Sequence, residues 1–382
     1  MARVDPVYLD HNATTPVAPA VRDAMLPWLG EAFGNPASAH APGRAAAAAL
    51  ARARAEVAAL VGAEPDEVVF TSGGTESDNL AVLGTQLPRP RIVASAVEHP
   101  AVEAALVVRE RQGVAVERLA VDRDARVELE RAAATLRVPA GLLTVMLAQN
   151  ETGTIEPVAQ LAALARAAAP DVIVHCDAAQ AVGKHAVDMR ALGVDLLTIV
   201  GHKFYAPAGI GALVVRRGTP LAATNYGGGQ QRGLRSGTEP VALAVALGAA
   251  CRLAASDLEQ ESARQRALRE RLWQQLRDGI DGIVRTAADA PTLPGTLHVR
   301  VPGREGAAIL AAAPAVAAST GSACHAGDGG HGVVTGVLAA MGVPLVEATG
   351  ALRLSLGRST IAADIDRAAA ALVAACRSVP RH

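Results

Sequence analysis

Short apolar runs rich in Val, Ile and Leu alternate with longer stretches of helical periodicity over the first part of the chain. Each run is bounded by polar residues or glycine, a pattern typical of buried strands in a parallel sheet. The runs lie at residues 67–71, 91–95, 114–121, 142–147, 171–177, 196–203 and 212–216. Because helical stretches separate most of them, the pattern predicts an α/β fold with a mostly parallel seven-stranded sheet and helices on both faces.

A smaller α/β unit is predicted in the C-terminal part of the chain. A helical pattern runs from Pro240 to about Ile280, and further strands are predicted at 297–301 and 351–356. The second of these strands alternates apolar and polar residues, as a half-buried strand does. We therefore predict a large domain at residues 16–260 and a smaller C-terminal domain formed by residues 261–382 together with residues 1–15.

Two charged residues stand at the ends of predicted strands: Asp177 closes the run 171–177, and Lys203 closes the run 196–203. In open α/β sheets, ligands bind at the edge formed by the carboxyl ends of the strands. A lysine there, one strand away from an aspartate, fits a Schiff-base lysine and a cofactor whose pyridinium nitrogen pairs with the carboxylate. That cofactor is pyridoxal 5'-phosphate (PLP). A solvated ion pair is the alternative interpretation of the same two residues.

The run 67–71 is followed by Ser72-Gly-Gly-Thr75 and then by a helical pattern. A glycine-rich turn at the start of a helix presents several backbone N–H groups and the Thr75 hydroxyl to one point, which favours an anion. An ordinary loop with Thr75 as the helix cap is the alternative. The Lys-Ser or Lys-Thr pair of a nucleoside-triphosphate loop is missing, which argues against such a ligand.

A glycine- and serine-rich loop near residues 318–332 contains Cys324 next to His325. An exposed thiol beside an imidazole can be held as the thiolate and act as a nucleophile. The four cysteines of the chain do not have the spacing of a metal site, so no metal is predicted and all four are expected to be free thiols.

Composition narrows the class of partner. Lys+Arg number 36 and Asp+Glu 37, for a formal net charge of −1, and aromatic residues make up only 2%. The chain therefore lacks the basic field and the stacking side chains of a nucleic-acid-binding protein, and no direct nucleic-acid partner is expected. The N-terminal residues carry no apolar signal core, and no uncharged apolar run of about 18 residues occurs, so a cytoplasmic protein without a membrane partner is expected.

Nine short motifs, which follow one another over nearly the whole chain, resemble the cysteine desulfurases of the class V aminotransferase superfamily. They are Asp10-His-Asn-Ala-Thr-Thr-Pro16, Thr71-Ser-Gly-Gly-Thr-Glu-Ser77, Glu98-His-Pro100, Asn150-Glu-Thr-Gly153, Asp177-Ala-Ala-Gln180, Gly201-His-Lys203, Gly237-Thr-Glu239, Gly321-Ser-Ala-Cys324 and Arg353-Leu-Ser-Leu-Gly-Arg358.

The resemblance implies a fold-type I PLP enzyme that acts as a homodimer. It implies that L-cysteine is the substrate and that Cys324 takes its sulfur as a persulfide and delivers it to an acceptor protein. Lys203 would form the Schiff base and move the Cα proton, Asp177 would pair with the pyridine nitrogen, and His99 would stack on the ring.

The remaining roles implied by the resemblance concern binding. Gln180 and Asn150 would contact the phenolic oxygen of the cofactor or the substrate. The phosphate would be bound by Thr75, by His202 and by Thr238 of the partner subunit. Arg353, with Asn12 nearby, would hold the substrate carboxylate.

Two residues depart from the family pattern. Val200 stands where many cysteine desulfurases have a serine that binds phosphate, and Gln149 stands where an asparagine is common. The stretch around Val200, together with Ala323-Cys-His325 and residues 352–360, is similar to selenocysteine lyases, so release of selenium from L-selenocysteine is the alternative function. Another PLP enzyme that does not need Cys324, and a non-catalytic scaffold for a sulfur-acceptor protein, are the further alternatives.

Overall fold

The computed structural model describes residues 5–321 and 336–381 of the chain. The strands in these residues are β1 (Val7–Tyr8), β2 (Val68–Thr71), β3 (Arg91–Ser95), β4 (Ala115–Leu119), β5 (Leu142–Thr144), β6 (Ile173–Asp177), β7 (Leu196–Val200), β8 (Gly211–Val215), β9 (Val284–Arg285), β10 (Thr296–Arg300), β11 (Val316–Ala317) and β12 (Ala351–Ser355).

The α-helices of the described residues are α1 (Pro19–Met25), α2 (Ala41–Leu60), α3 (Gly74–Gly84), α4 (Pro100–Arg111), α5 (Leu129–Thr135), α6 (Val158–Ala168), α7 (Val241–Gly279), α8 (Gly306–Ala312), α9 (Gly336–Ala340), α10 (Leu345–Ala348) and α11 (Ala362–Ser378).

Seven strands form the central sheet, in the order β2-β8-β7-β6-β5-β3-β4. Every neighbouring pair from β7 to β4 is parallel, whereas β8 is antiparallel to both β7 and β2. The direction of β8 follows from its connection, because residues 201–210 contain no α-helix and a parallel crossover needs about a dozen residues or more. The prediction of a mostly parallel seven-stranded sheet is confirmed.

The strands of this sheet are buried on both faces. Leu142 and Leu196 belong to one apolar cluster, whereas the adjacent Leu143 and Leu197 belong to another. Successive side chains of a strand point to opposite faces, so the two clusters are the two helix-covered layers. This arrangement explains why the strands read as continuous apolar runs in the sequence.

Helix α7 leads from the large sheet to the C-terminal part of the chain, and its backbone leaves the helical region at Asp257 (φ −148°). Among the described helices it is the one with the length and apolar character to cross a membrane, but half of its most apolar window is buried within the protein. That burial is what a core helix shows. The described cysteines, Cys176, Cys251 and Cys376, are free thiols, and all three are buried.

A second apolar core is built from residues 7–9 and 272–379. It contains the antiparallel sheet β12-β10-β9 and the parallel pair β1-β11, so the first strand of the chain pairs with a strand from the C-terminal part. The predicted domain boundaries at residues 15 and 260 stay predictions, and the second lies inside α7.

The prediction that strand 351–356 is half-buried is wrong. Every residue of β12 is buried, including Arg353, which is 1% exposed. The polar residues of this strand face the interior because they have partners there: Ser355 accepts a hydrogen bond from the backbone N–H of Asn12, and Arg353 pairs with Asp10. Alternation in the sequence therefore reflects a polar interior and not solvent.

Candidate active site

A cavity of about 260 Å³ lies beyond the carboxyl ends of β5, β6 and β7. Parallel strands end at the same edge of a sheet, so residues distant in sequence converge there. The predicted site residues that line the cavity are Asn12, Thr75, His99, Asn150, Asp177, Gln180, His202, Lys203 and Arg353. Thr238 is exposed and is not part of this lining, and Cys324 lies outside the described residues.

Lys203 ends a short 3₁₀ turn, Gly201–Lys203, that follows β7 directly. Its Nζ donates hydrogen bonds to the carbonyl oxygens of Asn12 and Ala13, each at 2.8 Å. The N-terminal segment therefore crosses the large domain at the cavity. Both acceptors are neutral carbonyl groups, so these two contacts position the amine at the cavity without forming an ion pair.

Asp177 lies at the end of β6, next to the strand that carries Lys203. It is 5% exposed, and its Oδ1 accepts a hydrogen bond from the backbone N–H of Ala179 at 2.8 Å. Burial raises the pKa of Asp177, and interactions with His99, with the backbone N–H of Ala179 and with Lys203 oppose that rise. A cationic ring nitrogen would supply the charge partner that a buried carboxylate requires.

The N-terminus of α3 forms another end of the cavity. Gly73 precedes the helix with a φ of 149°, and no side chain caps the helix. Gly74 and Thr75 line the cavity, which leaves an uncapped helix N-terminus facing it. Such a terminus binds phosphate through its N–H groups and its positive dipole end.

Val200 lies against this terminus. A Cβ on Gly74 would be 2.8 Å from Cγ2 of Val200, so residue 74 has to be glycine unless the valine moves. Val200 is also part of the cavity lining. An apolar side chain therefore stands where the sequence resemblance leads one to expect a hydroxyl.

Two histidines at the cavity have their orientation fixed by hydrogen bonds. His99 caps α4, and its Nδ1 accepts from the backbone N–H of Ala101 at 3.1 Å, which places the proton of the neutral ring on Nε2. Nδ1 of His202 lies 3.1 Å from Oγ1 of Thr14. Burial, helped by the charges of Lys203 and Lys184, lowers the pKa of His202 to about 4, so this ring is neutral at neutral pH.

Arg353, on β12, and Asn12 lie together at one end of the cavity. Arg353 donates to the backbone oxygen of Asn150 at 3.2 Å through Nη1 and to Oδ1 of Asp10 at 2.7 Å through Nη2. Asn12 donates through Nδ2 to the same Asn150 oxygen at 3.3 Å and to Oγ1 of Thr296 at 3.0 Å. A guanidinium and an amide at one end of a cavity suit a carboxylate.

The donor set fits PLP. An uncapped helix N-terminus suits the phosphate, the buried carboxyl of Asp177 suits the ring nitrogen, and the amine of Lys203 suits the aldehyde. These groups lie around one cavity. The start of α3 has no side-chain cap and the carboxyl group of Asp177 is buried, so each would be stabilised by a bound group of opposite charge.

Two carboxyl groups at or near the cavity were missed by the sequence reasoning. Asp78 lines the cavity, and burial, together with the charge of Asp177, raises its pKa well above the usual value. Glu98 accepts from the Ser95 hydroxyl at 2.6 Å and from the backbone N–H of Met146 at 2.8 Å, and burial raises its pKa to about 8. The available signal for Asp78 was its spacing of three residues from Thr75, which places both on one side of α3.

Lys184 was missed as well. Its Nζ donates to Oε1 of Gln180 at 2.8 Å and to Oδ1 of Asn12 at 3.1 Å. Gln180 in turn donates through Nε2 to the backbone oxygen of Asn12 at 2.9 Å. The signal available in the sequence was the four-residue spacing from Gln180.

Comparisons with known proteins agree with this geometry. The family model described as aminotransferase class-V matches residues 7–368. The chain is 45% identical over 370 residues to the cysteine desulfurase of Gluconacetobacter diazotrophicus, covering 94% of this chain and 91% of that protein. It is 42% identical over 370 residues to the cysteine desulfurase IscS of Anaeromyxobacter dehalogenans, covering 95% and 90%. A solved NifS-like protein superposes with a TM-score of 0.89 at 31% identity, covering 97% of this chain and 98% of that one.

Proposed function

Since this chain belongs to the aminotransferase class-V family and is a cysteine desulfurase, we propose that it converts L-cysteine to L-alanine and collects the sulfur on Cys324 as a persulfide. The observation that supports the proposal most is that Asp177, Lys203, Arg353 and the uncapped start of α3 line one cavity. These groups together can orient a PLP cofactor and an amino acid substrate, which none of them does alone.

The residues around the ring have distinct tasks in this proposal. When bound, PLP supplies an electron sink that stabilises negative charge on the Cα of the amino acid. Lys203 would hold the cofactor covalently through Nζ and, once the substrate amine has replaced it, take the Cα proton. Asp177 would keep the ring nitrogen protonated, and His99 would lie against the ring face.

The phosphate would be held where α3 begins. Thr75 and the first N–H groups of α3 would donate to it, and His202 would donate from Nε2 in the tautomer whose Nδ1 accepts from the Thr14 hydroxyl. Thr238 of the partner subunit would complete the set in a homodimer. Thr238 is exposed in its own chain, so its hydroxyl is accessible to a second copy.

The substrate would be oriented by polar groups that already contact one another. Arg353 would bind its carboxylate, with Asn12 beside it. Gln180 and Asn150 would contact the substrate or the phenolic oxygen of the cofactor. All four side chains are buried, so water would compete weakly for these contacts.

The sulfur step uses Cys324. Its thiolate would attack Sγ of the bound cysteine, so that an S–S bond forms while the Cβ–S bond breaks and its electron pair stays with the carbon fragment. Protons returned to that fragment complete alanine. The sulfur then leaves for an acceptor protein, and we propose that the enzyme works in the cytoplasm.

The proposal is tested by incubating purified protein and PLP with L-cysteine and following alanine by chromatography and the Cys324 peptide by mass spectrometry. We expect alanine together with a gain of one sulfur on that peptide, and Cys324→Ala is expected to abolish both. Alanine formed equally well by Cys324→Ala would contradict the assigned nucleophile. A parallel assay with L-selenocysteine decides the alternative: turnover of selenocysteine without turnover of cysteine would make the protein a selenocysteine lyase.

A further inference from the structure

Only two of the 36 basic residues are lysines, Lys184 and Lys203, and all the others are arginines. Both lysines reach the same residue. Nζ of Lys203 donates to the backbone oxygen of Asn12 at 2.8 Å, and Nζ of Lys184 donates to the side-chain oxygen of Asn12 at 3.1 Å. A chain that otherwise uses arginine for its basic side chains thus has its second lysine beside the one that would bind the cofactor.

The backbone holds Lys184 in this place. The N–H groups of Lys184 and His185 both donate to the oxygen of Ala181, in a turn that brings Lys184 onto the same side as Gln180. The hydroxyl of Ser262 on α7 donates to the oxygen of Lys184 at 3.1 Å. Lys184 also lines an outer cleft of about 640 Å³, while its amino group bonds to Asn12 and Gln180.

An amino group on a lysine donates hydrogen bonds, whereas a side-chain amide has one end that accepts and one end that donates. Lys184 therefore selects the oxygen end of both amides. Once Oδ1 of Asn12 faces Lys184, its Nδ2 faces Asn150 and Thr296. Once Oε1 of Gln180 faces Lys184, its Nε2 faces the backbone oxygen of Asn12.

We propose that Lys184 is a positioning residue of the active site, which fixes the amide orientations of Asn12 and Gln180. Their NH₂ groups then bond to Asn150, Thr296 and the Asn12 backbone, and these bonds hold both side chains at the cavity where substrate and cofactor would bind. This inference rests on the proposed function of Asn12 and Gln180. It adds a residue that touches neither ligand and acts only through the two amides.

The surroundings explain why the residue is a lysine and not an arginine. A guanidinium is planar and spreads its donors over a wide fork, whereas an amino group concentrates them on one atom that can serve two oxygens close together. Burial, with the charges of Lys203 and Arg353, lowers the pKa of Lys184 well below its usual value. Since the neutral amine also carries N–H donors, both bonds can persist after the proton is lost.

The decisive variant is Lys184→Met, which keeps an unbranched stem of similar length and removes the donors. We expect kcat/KM for L-cysteine to fall about tenfold or more, since two buried amide oxygens lose a partner. The neighbouring His185→Ala, which removes an exposed side chain from the same turn, is the matched control and should retain wild-type kinetics. Unchanged kcat/KM in folded Lys184→Met would overturn the proposal.

A double-mutant cycle separates positioning from a general structural role. In an Asn12→Ala, Gln180→Ala background, Lys184→Met should cause little further loss, because the groups through which it acts are gone. An equal loss in both backgrounds would overturn the proposal. Lys184→Arg should be at least a few-fold less active than wild type, because the planar guanidinium spreads its donors and cannot serve both amide oxygens from one atom.

A measurement on the wild-type chain provides a readout that does not depend on turnover. A variant is needed in it only to assign the signals. Protein labelled with [ε-¹³C]lysine should give one NMR signal from each of its two lysines, and Lys203→Ala identifies which is which. The Lys184 signal is expected to shift when PLP is added and again when L-alanine is added. A Lys184 signal that is insensitive to both additions would overturn the positioning role. Failure of the wild-type protein to form alanine from L-cysteine would instead overturn the proposed function.

Discussion

Arg353 donates a hydrogen bond from Nη2 to Oδ1 of Asp10 at 2.7 Å, and the two residues are 343 positions apart in the chain. The guanidinium is buried and would be strongly destabilised without a nearby negative charge. Its Nε has no hydrogen-bond partner among the described residues. The structure thus holds the guanidinium in place beside Asn12 before any substrate carboxylate arrives, and leaves its Nε–H unused.

Arg353→Lys is expected to raise the KM for L-cysteine roughly 30- to 100-fold, which corresponds to the loss of a charged hydrogen bond of about 2–3 kcal/mol. The lysine keeps the charge but loses the fork that reaches Asp10 and Asn150 together. Steady-state kinetics of alanine formation measure the effect. Arg300→Lys, in the neighbouring strand β10 and paired with Glu347, is the control. A KM equal to that of wild type would show that Arg353 does not bind the substrate.

Asp177→Asn should lower kcat about 100-fold or more while the cofactor stays attached to Lys203, since an amide cannot keep the ring nitrogen protonated. This variant should therefore keep the visible absorbance of the bound cofactor while it forms alanine far more slowly. Asp171→Asn, an exposed change at the other end of the same apolar run, is the control. Full activity of Asp177→Asn would remove Asp177 from the catalytic machinery.

The free energy of unfolding should fall as the pH rises through the range between the pKa of Glu98 in the unfolded chain and its pKa in the folded protein. Its pKa is raised from 4.5 to about 8, chiefly by burial. Between these values the unfolded state has lost the proton and the folded state still holds it, so the free energy of unfolding decreases with pH and levels off above about 8. At about 1.4 kcal/mol per pKa unit, the fall amounts to a few kcal/mol.

Glu98→Gln removes this titration. The free energy of unfolding of the variant should therefore fall less than that of wild type as the pH rises. Urea unfolding at pH about 5, 7 and 9 measures the difference, which should move in favour of the variant at high pH. Glu156→Gln is a matched variant that should show the same dependence of stability on pH, because burial also raises the pKa of Glu156 to about 8. Parallel pH curves for wild type and Glu98→Gln would contradict the assignment.

The parts of the fold that follow from local pattern were predicted from the sequence. The apolar runs predicted the strands of the central sheet. Because β6 and β7 pair in parallel, Asp177 and Lys203 lie at the same edge of that sheet. Arg353 was placed in the right strand but with the wrong burial, because its counter-charge Asp10 comes from the other end of the chain. No local pattern contains that contact.

Lys184 shows the same limit at the site. Its spacing from Gln180 is local and could be read as a helical pair, but its bond to Asn12 spans 172 positions. The burial that raises the pKa of Asp78 likewise depends on the packing of α3 against the sheet. Motifs therefore located the residues that would touch the cofactor, whereas those that support them required the three-dimensional arrangement.

Mixing two impaired variants should give more activity than the average of the two if the site is shared between subunits. In a heterodimer of Lys203→Ala and Thr238→Ala, one of the two sites contains both Lys203 and Thr238 of the partner subunit. Random assortment then gives roughly a quarter of wild-type activity after the variants are unfolded and refolded together. Assays at limiting PLP give the clearest contrast with the separately refolded variants. Activity no higher than the average of those two would contradict a shared phosphate site.

Val200→Thr should bind PLP more tightly than wild type. Threonine has nearly the shape of valine, so contact with Gly74 is kept while a hydroxyl is added beside the start of α3. If the phosphate binds there, a charge-assisted hydrogen bond should slow cofactor release and tighten the dissociation constant roughly tenfold. Titration of the apoprotein with PLP, followed by visible absorbance, measures it. Val200→Ala controls for lost packing and should not bind more tightly, and equal affinities of Val200→Thr and wild type would place the phosphate away from residue 200.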